Sequence, residues 1–461
     1  MIDREWEHFM LDRTINQRGV PIDMALVSGG IAAYERNLET LYSRARELTH
    51  LNNPNSVTQL ISWLDQRGTA TETLDKQAVS GLLAGDLPDD VREVLEIRRQ
   101  MSMTSIKKLY TLRDATSSDG RLRNTLQIYG ASRTGRWAGR LFQPHNIPRG
   151  SLQGDALYEA VERIRSGGDA TMEEIQSCLR SCIRAPEGKR LVVSDLSNIE
   201  SRILGWVADE PTMLKVFREG LDIYKDYGES LLRKSYSDIT KPERNYCKPP
   251  ALGCGYGLGA KGLVKYADGM GVTMNLDQSQ AAVDAFRNRY SAVTKLWRDL
   301  ESAKFSAIRN GGTHKAGRCT FTLDDPWLFL GLPSGRKLAY LLPLVEMKET
   351  PWGEDRPTVT YMGTNQFTRK WERQKTYGGK IVENICQAIS RDVLAEGLQE
   401  AEETGFECVL HTHDEIVAVI DEDDWLDETA LSECMSVLPD WADDELYLDA
   451  EGFSDVIYRK D

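Results

Sequence analysis

Apolar positions recur mostly at helical spacing from the start of the chain to about residue 124, with few strand-like runs and turn signals at LNNPNS and AGDLPDD. A largely helical N-terminal region follows. Inside it, VREVLEIRRQMSMTSIKKLYTLRD sets apolar residues at helical spacing among many basic ones, and reads equally as a solvated amphipathic helix or as a helix lying along a phosphate backbone. Between Leu126 and Pro148 a short strand candidate leads into a loop rich in Gly and Arg. RLVVSDL then reads as a buried strand ending at an acid, and NIESRILGWVADE as a helix. Residues 211 to about 374 mix helices with short strand-like runs (TFTL, GRKLAYLLPLV), which suggests an inserted lobe. KIVENICQAISRDVLAEGLQEAEETG is a long helix stopped by Gly405 just past its end. In FECVLHTHDEIVAVI, two apolar runs flank a polar tip, predicting a β-hairpin with His413 and Asp414 at its turn.

This order of elements is that of an α+β chain. At 461 residues it is long for one hydrophobic core, and four regions are expected: 1–124, 125–210, 211–374 and 375–461. The 41% hydrophobic and 28% charged content is that of a soluble globular protein. The chain has no run of about 18 apolar residues, and its opening, MIDREWEHFMLDRTINQRG, has acids and no apolar core. Neither a membrane span nor a signal peptide is expected, and a cytoplasmic location follows. Eight scattered cysteines without a CxxC pair predict free buried thiols rather than disulfides or structural zinc. A net charge of −14 argues at first against a nucleic-acid partner, since phosphate binding is driven by Lys and Arg. The acids crowd at the carboxyl end (DEDDWLDET, DWADDE), however, and basic residues concentrate in SIKKLYTLR, RTGRWAGR and KPERNYCK, so a basic cleft on an acidic body is compatible with the composition.

Two acids stand at strand ends far apart in sequence, Asp195 and Asp414. If their strands are neighbours in one antiparallel sheet, both carboxylates emerge at one edge and can bridge two hard cations. Alone, each such acid is more often a turn residue or helix cap. A second pattern raises its standing. In TKPERNYCKPPALGCGYGLG, Arg244, Lys248, Leu252 and Tyr256 follow at four-residue steps, and Thr240 with Glu243 and Pro242 signals a helix start. One face then carries two cations, an apolar residue and a ring, which suits a nucleoside triphosphate lying along it. A plain basic helix would not explain Leu252 and Tyr256 on the same stripe. On the long helix, Lys380, Asn384, Gln387 and Arg391 share one polar face, whose donors could reach minor-groove acceptors present in every correct base pair. Without the other motifs, a solvated face would be the better reading.

These residues together resemble the family A DNA polymerases, most closely their phage-encoded members. Their Asp-Tyr-Ser-Gln-Ile-Glu-x-Arg motif is matched by Asp195, Leu196, Ser197, Asn198, Ile199, Glu200, Ser201 and Arg202. Their finger motif is matched by Arg244, Lys248, Tyr256 and Gly257, and their His-Asp-Glu motif by His413, Asp414 and Glu415. Thr134-Gly135-Arg136, with Gln143, Asn146, Ile147, Pro148 and Arg149, looks like the stretch touching primer and template, and Asp222-Ile223-Tyr224 like the element at the start of the fingers. The resemblance implies a right-hand fold: an N-terminal helical region including the thumb (1–124), an antiparallel-sheet palm in two parts (125–210, 375–461), and mostly helical fingers with an inserted tip (211–374).

It also implies roles. Asp195, Asp414 and the Leu196 carbonyl would bind two magnesium ions, with manganese as a substitute and Glu415 close by. Lys248 would steady the α-phosphate and protonate the leaving pyrophosphate, Arg244 would grip the outer phosphates, and Tyr224, Leu252 and Tyr256 would meet the nucleotide. Glu200 would exclude a 2′-hydroxyl. Arg136, Arg202, Asn384, Gln387, Arg391 and His413 would contact DNA. Primer–template DNA, deoxynucleoside triphosphates and accessory replication proteins are the implied partners.

The chain departs from the family at three places. Pro249 and Pro250 follow Lys248 inside the finger helix and predict a kink or a restart at Pro249. Leu252 stands where most members carry Phe or Tyr, which predicts altered discrimination at the nucleotide 3′ position. An upstream proofreading exonuclease is not visible, and Asp3-Arg4-Glu5, despite its Asp-x-Glu spacing, reads as accidental. A two-metal nuclease, an RNA polymerase and a non-catalytic DNA-binding subunit are the competing readings. The first leaves the Arg244–Tyr256 stripe unexplained, Glu200 opposes the second, and the third leaves the acids idle.

Overall fold

The computed structural model describes residues 3–349, 353–366 and 368–460. The strand Lys189–Leu196 is apolar at every position from Leu191 to Val193, and those residues are buried. It forms the middle of a four-stranded antiparallel sheet ordered Glu407–Thr412, Glu415–Asp421, Lys189–Leu196, Ala450–Asp455. The hairpin expected around His413 and Asp414 is present, and its second strand pairs directly with the central one, so that Glu415 stands opposite Asp195. The helix Glu428–Ser436 packs on the central and last strands. The long helix Gly378–Thr404 packs on that helix and on Ile199–Ala208. It ends, as expected, at Gly405, whose φ of 112° is a backbone state that favours glycine.

The N-terminal region is helical, but it feeds two cores. Helix Asp3–Arg18 and the first half of Met24–Thr49 join the main core, whereas Leu60, Trp63, Leu64, Val91, Val94 and Leu95 form a second, smaller one. The basic stretch expected as one helix is three pieces: Asp89–Met101, a 3₁₀ turn Thr104–Lys107, and Lys108–Ala115. Val91, Val94 and Leu95 of the first piece belong to the smaller core, and Leu109 and Leu112 of the last to the main one, so the two pieces cover different cores.

The finger helix runs from Lys241 to Cys254 with both prolines inside it, and no second helix starts at Pro249. The restart expected there is therefore wrong. Proline in a helix interior costs roughly 3 kcal/mol. Here both rings are buried and the helix packs against Ile223–Leu232, Ala260–Gly269 and Leu276–Arg289, which offsets that cost. Tyr256 lies beyond the helix end, in the turn that follows.

The inserted tip is larger than the short runs implied. Six strands from Thr313 to Thr376 make an up-and-down antiparallel sheet in chain order. Its inner face rests on helix Ser291–Asn310, and Arg336 ties it to the long helix through Asp392, with Nε 2.7 Å from the carboxylate. All eight cysteines are buried and free, as expected. Among the described residues, no helix is long and apolar enough to cross a membrane.

Candidate active site

Strand register puts the acids together. Asp195, one residue from the end of the central strand, faces Glu415 across the ladder. Asp414 occupies the hairpin turn after His413, whose φ is 56°, and its carbonyl accepts the Leu196 N–H at 2.9 Å. Lys460 closes the group: its Nζ lies 2.9 Å from Asp195 and 3.2 Å from Glu415. Glu415 is buried and also accepts hydrogen bonds from Tyr458 and Thr412. Burial, with Glu200 and Asp195 nearby, raises the Asp414 carboxyl to about 6 against the opposing charges of Arg136 and Lys460.

Glu200 is held from two sides. Arg136 donates to it at 2.7 Å and reaches to 3.6 Å from Asp414, while the Tyr256 hydroxyl donates to its other oxygen at 2.5 Å. Arg136 is aimed by its loop, which is pinned at Trp137 by Asp12 (2.9 Å) and at the Thr134 carbonyl by Arg336 (2.9 Å). Arg202, one turn beyond Asn198, is buried. It binds the Ser197 carbonyl at 2.7 Å, the Tyr447 carbonyl at 3.0 Å and Asp449 at 3.1 Å.

A second cluster flanks this one. The Arg244 guanidinium lies 4.9 Å from the Tyr224 ring and pairs with Asp222, and the Lys248 ammonium lies 5.8 Å from the same ring. The Tyr224 hydroxyl donates to Asn198 at 2.9 Å, linking helix Ile223–Leu232, against which the finger helix packs, to the turn after Asp195. Lys248 makes no salt bridge among the described residues. Burial and the neighbouring Arg149 and Arg244 push its pKa down, partly opposed by Asp222. Leu252 is half-buried on the same helix.

The donor set suits a hard cation. Asp414 Oδ1 is shielded from solvent and accepts no hydrogen bond from the described residues, with Arg136 3.6 Å away, so it has capacity for a further ligand. No group of three His, Cys, Asp or Glu side chains that could hold a metal ion occurs among the described residues, so an ion here would rest on fewer protein side chains. Ligation by the two carboxylates would leave coordination positions open, as magnesium serving phosphates requires.

Several expected DNA contacts do not stand. Arg202 is 6% exposed and fixes the turn beside Asp195 instead. Asn384 is buried and donates to the Tyr340 hydroxyl at 3.1 Å. Arg391 is 1% exposed and bound by Glu5. The polar face of the long helix is thus covered by the inserted sheet and the N-terminal helix, leaving only Gln387 and Lys380 half-exposed. His413 is exposed, with Nε2 3.2 Å from the His145 carbonyl. Glu5 is engaged in the interior, so Asp3-Arg4-Glu5 is not a nuclease motif. Lys460 was not foreseen: YRKD carries no motif, and only its return beside the first strand gives it a role.

With this geometry established, the chain can be set against known proteins. The sequence profile of DNA polymerase family A matches residues 30–312. The DNA polymerase of Bacillus phage SP02 is 35% identical over 473 aligned positions, covering 100% of this chain and 71% of that one. DNA polymerase I of Aquifex aeolicus is 35% identical over 141 residues, 30% of this chain and 24% of that protein. Among solved structures, the POL domain of Pol1 from M. smegmatis, in complex with DNA primer-template and dNTP, superposes with a TM-score of 0.65 at 17% identity, covering 96% of this chain and 68% of that one. The profile match over more than half the chain and the full-length likeness to the phage enzyme settle the matter: the chain belongs to DNA polymerase family A, the template-directed DNA polymerases.

Proposed function

We propose that nucleotidyl transfer takes place where Asp195 and Asp414 meet the finger helix, extending a primer 3′ end with deoxynucleotides, in the cytoplasm of a bacterial or phage-infected host. The observation that carries this reading is the direct register of Asp195 against Glu415, with Asp414 in the adjoining turn and Lys248, free of salt bridges among the described residues, on the helix that also carries Arg244. Asp195, Asp414 and the Leu196 carbonyl would hold two magnesium ions, or manganese in their place. When bound, these ions lower the pKa of the attacking hydroxyl and neutralise charge on the departing pyrophosphate.

The chain's own residues do the rest. Lys460 keeps Asp195 and Glu415 in place and limits their mutual repulsion. Lys248, with its lowered pKa, is suited to hold a proton and pass it to the leaving group. Arg244, oriented by Asp222 and stacked on Tyr224, supplies fixed charge to the outer phosphates. Primer–template DNA would meet Arg136, Gln387 and His413, and accessory replication proteins would act in addition.

Glu200 cannot swing aside, because Arg136 and Tyr256 hold both its oxygens. Its bulk would stand where a ribose 2′-hydroxyl must go. Primer extension with each nucleotide set in turn tests the whole reading: deoxynucleotide addition supports it, whereas primer shortening, ribonucleotide addition or inactivity each refutes it. In the same assay, Glu200→Ala should raise ribonucleotide incorporation roughly 5- to 150-fold, the worth of a clash of about 1–3 kcal/mol. Unchanged selectivity would remove Glu200 as the gate.

Leu252 presents no polar atom to the sugar. A phenol at this position would offer a hydrogen bond in place of a missing 3′-hydroxyl, so Leu252→Tyr should increase dideoxynucleotide termination by about 3- to 10-fold. Equal termination by the two proteins would rule this out.

A further inference from the structure

The inserted sheet buries one face and leaves the other without a covering element among the described residues. Leu328, Leu330, Leu338 and Tyr340 point inward and are buried, while the alternating positions face outward. On the outer face Trp327 and Phe329 stand two residues apart with rings stacked, centroids 6.4 Å apart and planes at 23°. The Lys337 ammonium lies 5.5 Å from the Phe329 ring. Strand register carries the same face across Leu341, Met362 and Arg373, and Trp371 stands 60% exposed on the last strand. Lys375 follows on the same side of that strand.

The charge of this face is positive, unlike that of the protein as a whole. Lys337 and Lys375 are exposed and make no salt bridge among the described residues. Arg373 gives its donors to neutral oxygens, the Leu342 carbonyl and Thr360 Oγ1. Two acids share this face: Glu346, 3.6 Å from Lys348 and accepting from Thr360, and Asp324, exposed opposite Trp327. Flat rings beside unneutralised cations suit unpaired nucleic acid, whose bases offer free faces and whose phosphates seek cations. A duplex hides those faces.

Position selects the strand. The last strand of the sheet ends at Thr376, and Gly379, three residues on, lies so close to the Tyr256 carbonyl and Gly257 that a side chain there would collide with them. The sheet therefore begins where the nucleotide-binding face of the fingers ends. We propose that its outer face is a stacking platform for the single-stranded template ahead of the insertion site. This rests on the reading that the incoming nucleotide lies along Arg244 to Tyr256.

The experiment compares binding of primer–templates bearing template overhangs of about two and about twelve nucleotides, the longer matching the site size of one single-strand-binding sheet. The wild type should bind the long overhang about tenfold more tightly, the worth of one stacked base. Trp371→Ala/Lys375→Gln should lose that gain while binding and extending the short-overhang substrate as the wild type does. Its salt slope on the long overhang should fall by about 0.7, for one lost phosphate contact. Trp327→Ala/Lys337→Gln, on neighbouring strands, should behave alike, and both should melt with the wild type. Equal affinity for the two overhangs, or a gain retained by both variants, would overturn the proposal. So would a gain that appears only with a displaced downstream flap, which would assign the face to the other strand. Failure to extend any substrate would strike the catalytic reading instead, since binding is measured without nucleotide.

Discussion

Asp414→Asn should abolish primer extension by at least about a thousandfold, roughly 4 kcal/mol of transition-state stabilisation, while primer–template binding survives. The substitution keeps shape and removes one ionised oxygen pair from the turn beside Asp195, where the proposed metal site lies. Stability should move the other way. Burial raises the Asp414 carboxyl to about 6 in the fold, above its unfolded value near 3.8, so ionising it opposes folding. That penalty is complete above about pH 6 and vanishes below about pH 4. In metal-free buffer at neutral pH the Asn variant should therefore be more stable than the wild type, by on the order of 1 kcal/mol after allowance for solvent screening. At pH 4 the two should melt alike. Single-turnover extension, gel-shift binding and urea melts at the two pH values check the three parts. A variant that extends normally would contradict the metal assignment, and one destabilised at neutral pH would contradict the electrostatics.

How far the site could be read in the sequence depended on distance along the chain. The Asp195 strand and the His413–Asp414 hairpin were legible because their signals are local: an apolar run ending at an acid, and two apolar runs around a polar tip. The capping box at Thr240 and Glu243 was legible for the same reason and is present. Arg391 and Asn384 misled, since a polar stripe on a helix reports solvent only when no distant segment covers it. Glu5, 386 residues away in sequence, and the Tyr340 strand do so here. Arg202 was misassigned likewise, because its acceptors are the carbonyls of Ser197 and Tyr447.

The size of the inserted sheet was hidden by its own composition. WLFLG is apolar at nearly every position, so the alternation that marks a half-exposed strand cannot be seen in its letters, and only register separates buried Leu328 and Leu330 from outward Trp327 and Phe329. Pro249 and Pro250 exposed a limit of another kind. Local propensity opposed a continuous helix, and packing on three neighbouring helices overrode it.

The second large effect concerns stability and lies at the junction of the N-terminal helix with the long helix Gly378–Thr404. Glu5→Gln should destabilise the protein by about 3–5 kcal/mol, the cost of leaving one member of a buried ion pair without its partner. Arg391, 1% exposed, donates to Glu5 at 2.6 and 3.0 Å, and Tyr129 donates to the same carboxylate. Burial alone would raise the Glu5 carboxyl. His8, the Arg391 charge and Tyr129 outweigh it and hold the group well below the usual carboxylate range. A depressed acid contributes stability above its unfolded pKa and loses it as pH falls toward the folded value, so the gap between wild type and Glu5→Gln should be full at neutral pH and close progressively below about pH 4. Asp392 cannot replace Glu5, because it lies 3.4 Å from Arg391 and is already paired with Arg336. Removing both charges is a different matter, since a packed apolar pair avoids the desolvation cost, and Glu5→Met/Arg391→Met should regain most of the loss. The consequence reaches the active site: Glu5 holds Tyr129, and Tyr129 belongs to the same loop as Arg136, which orients Glu200. Urea melts of the single and double variants measure the effect, and a single variant within about 1 kcal/mol of wild type would mean that Arg391 finds other compensation and the junction does not depend on this pair.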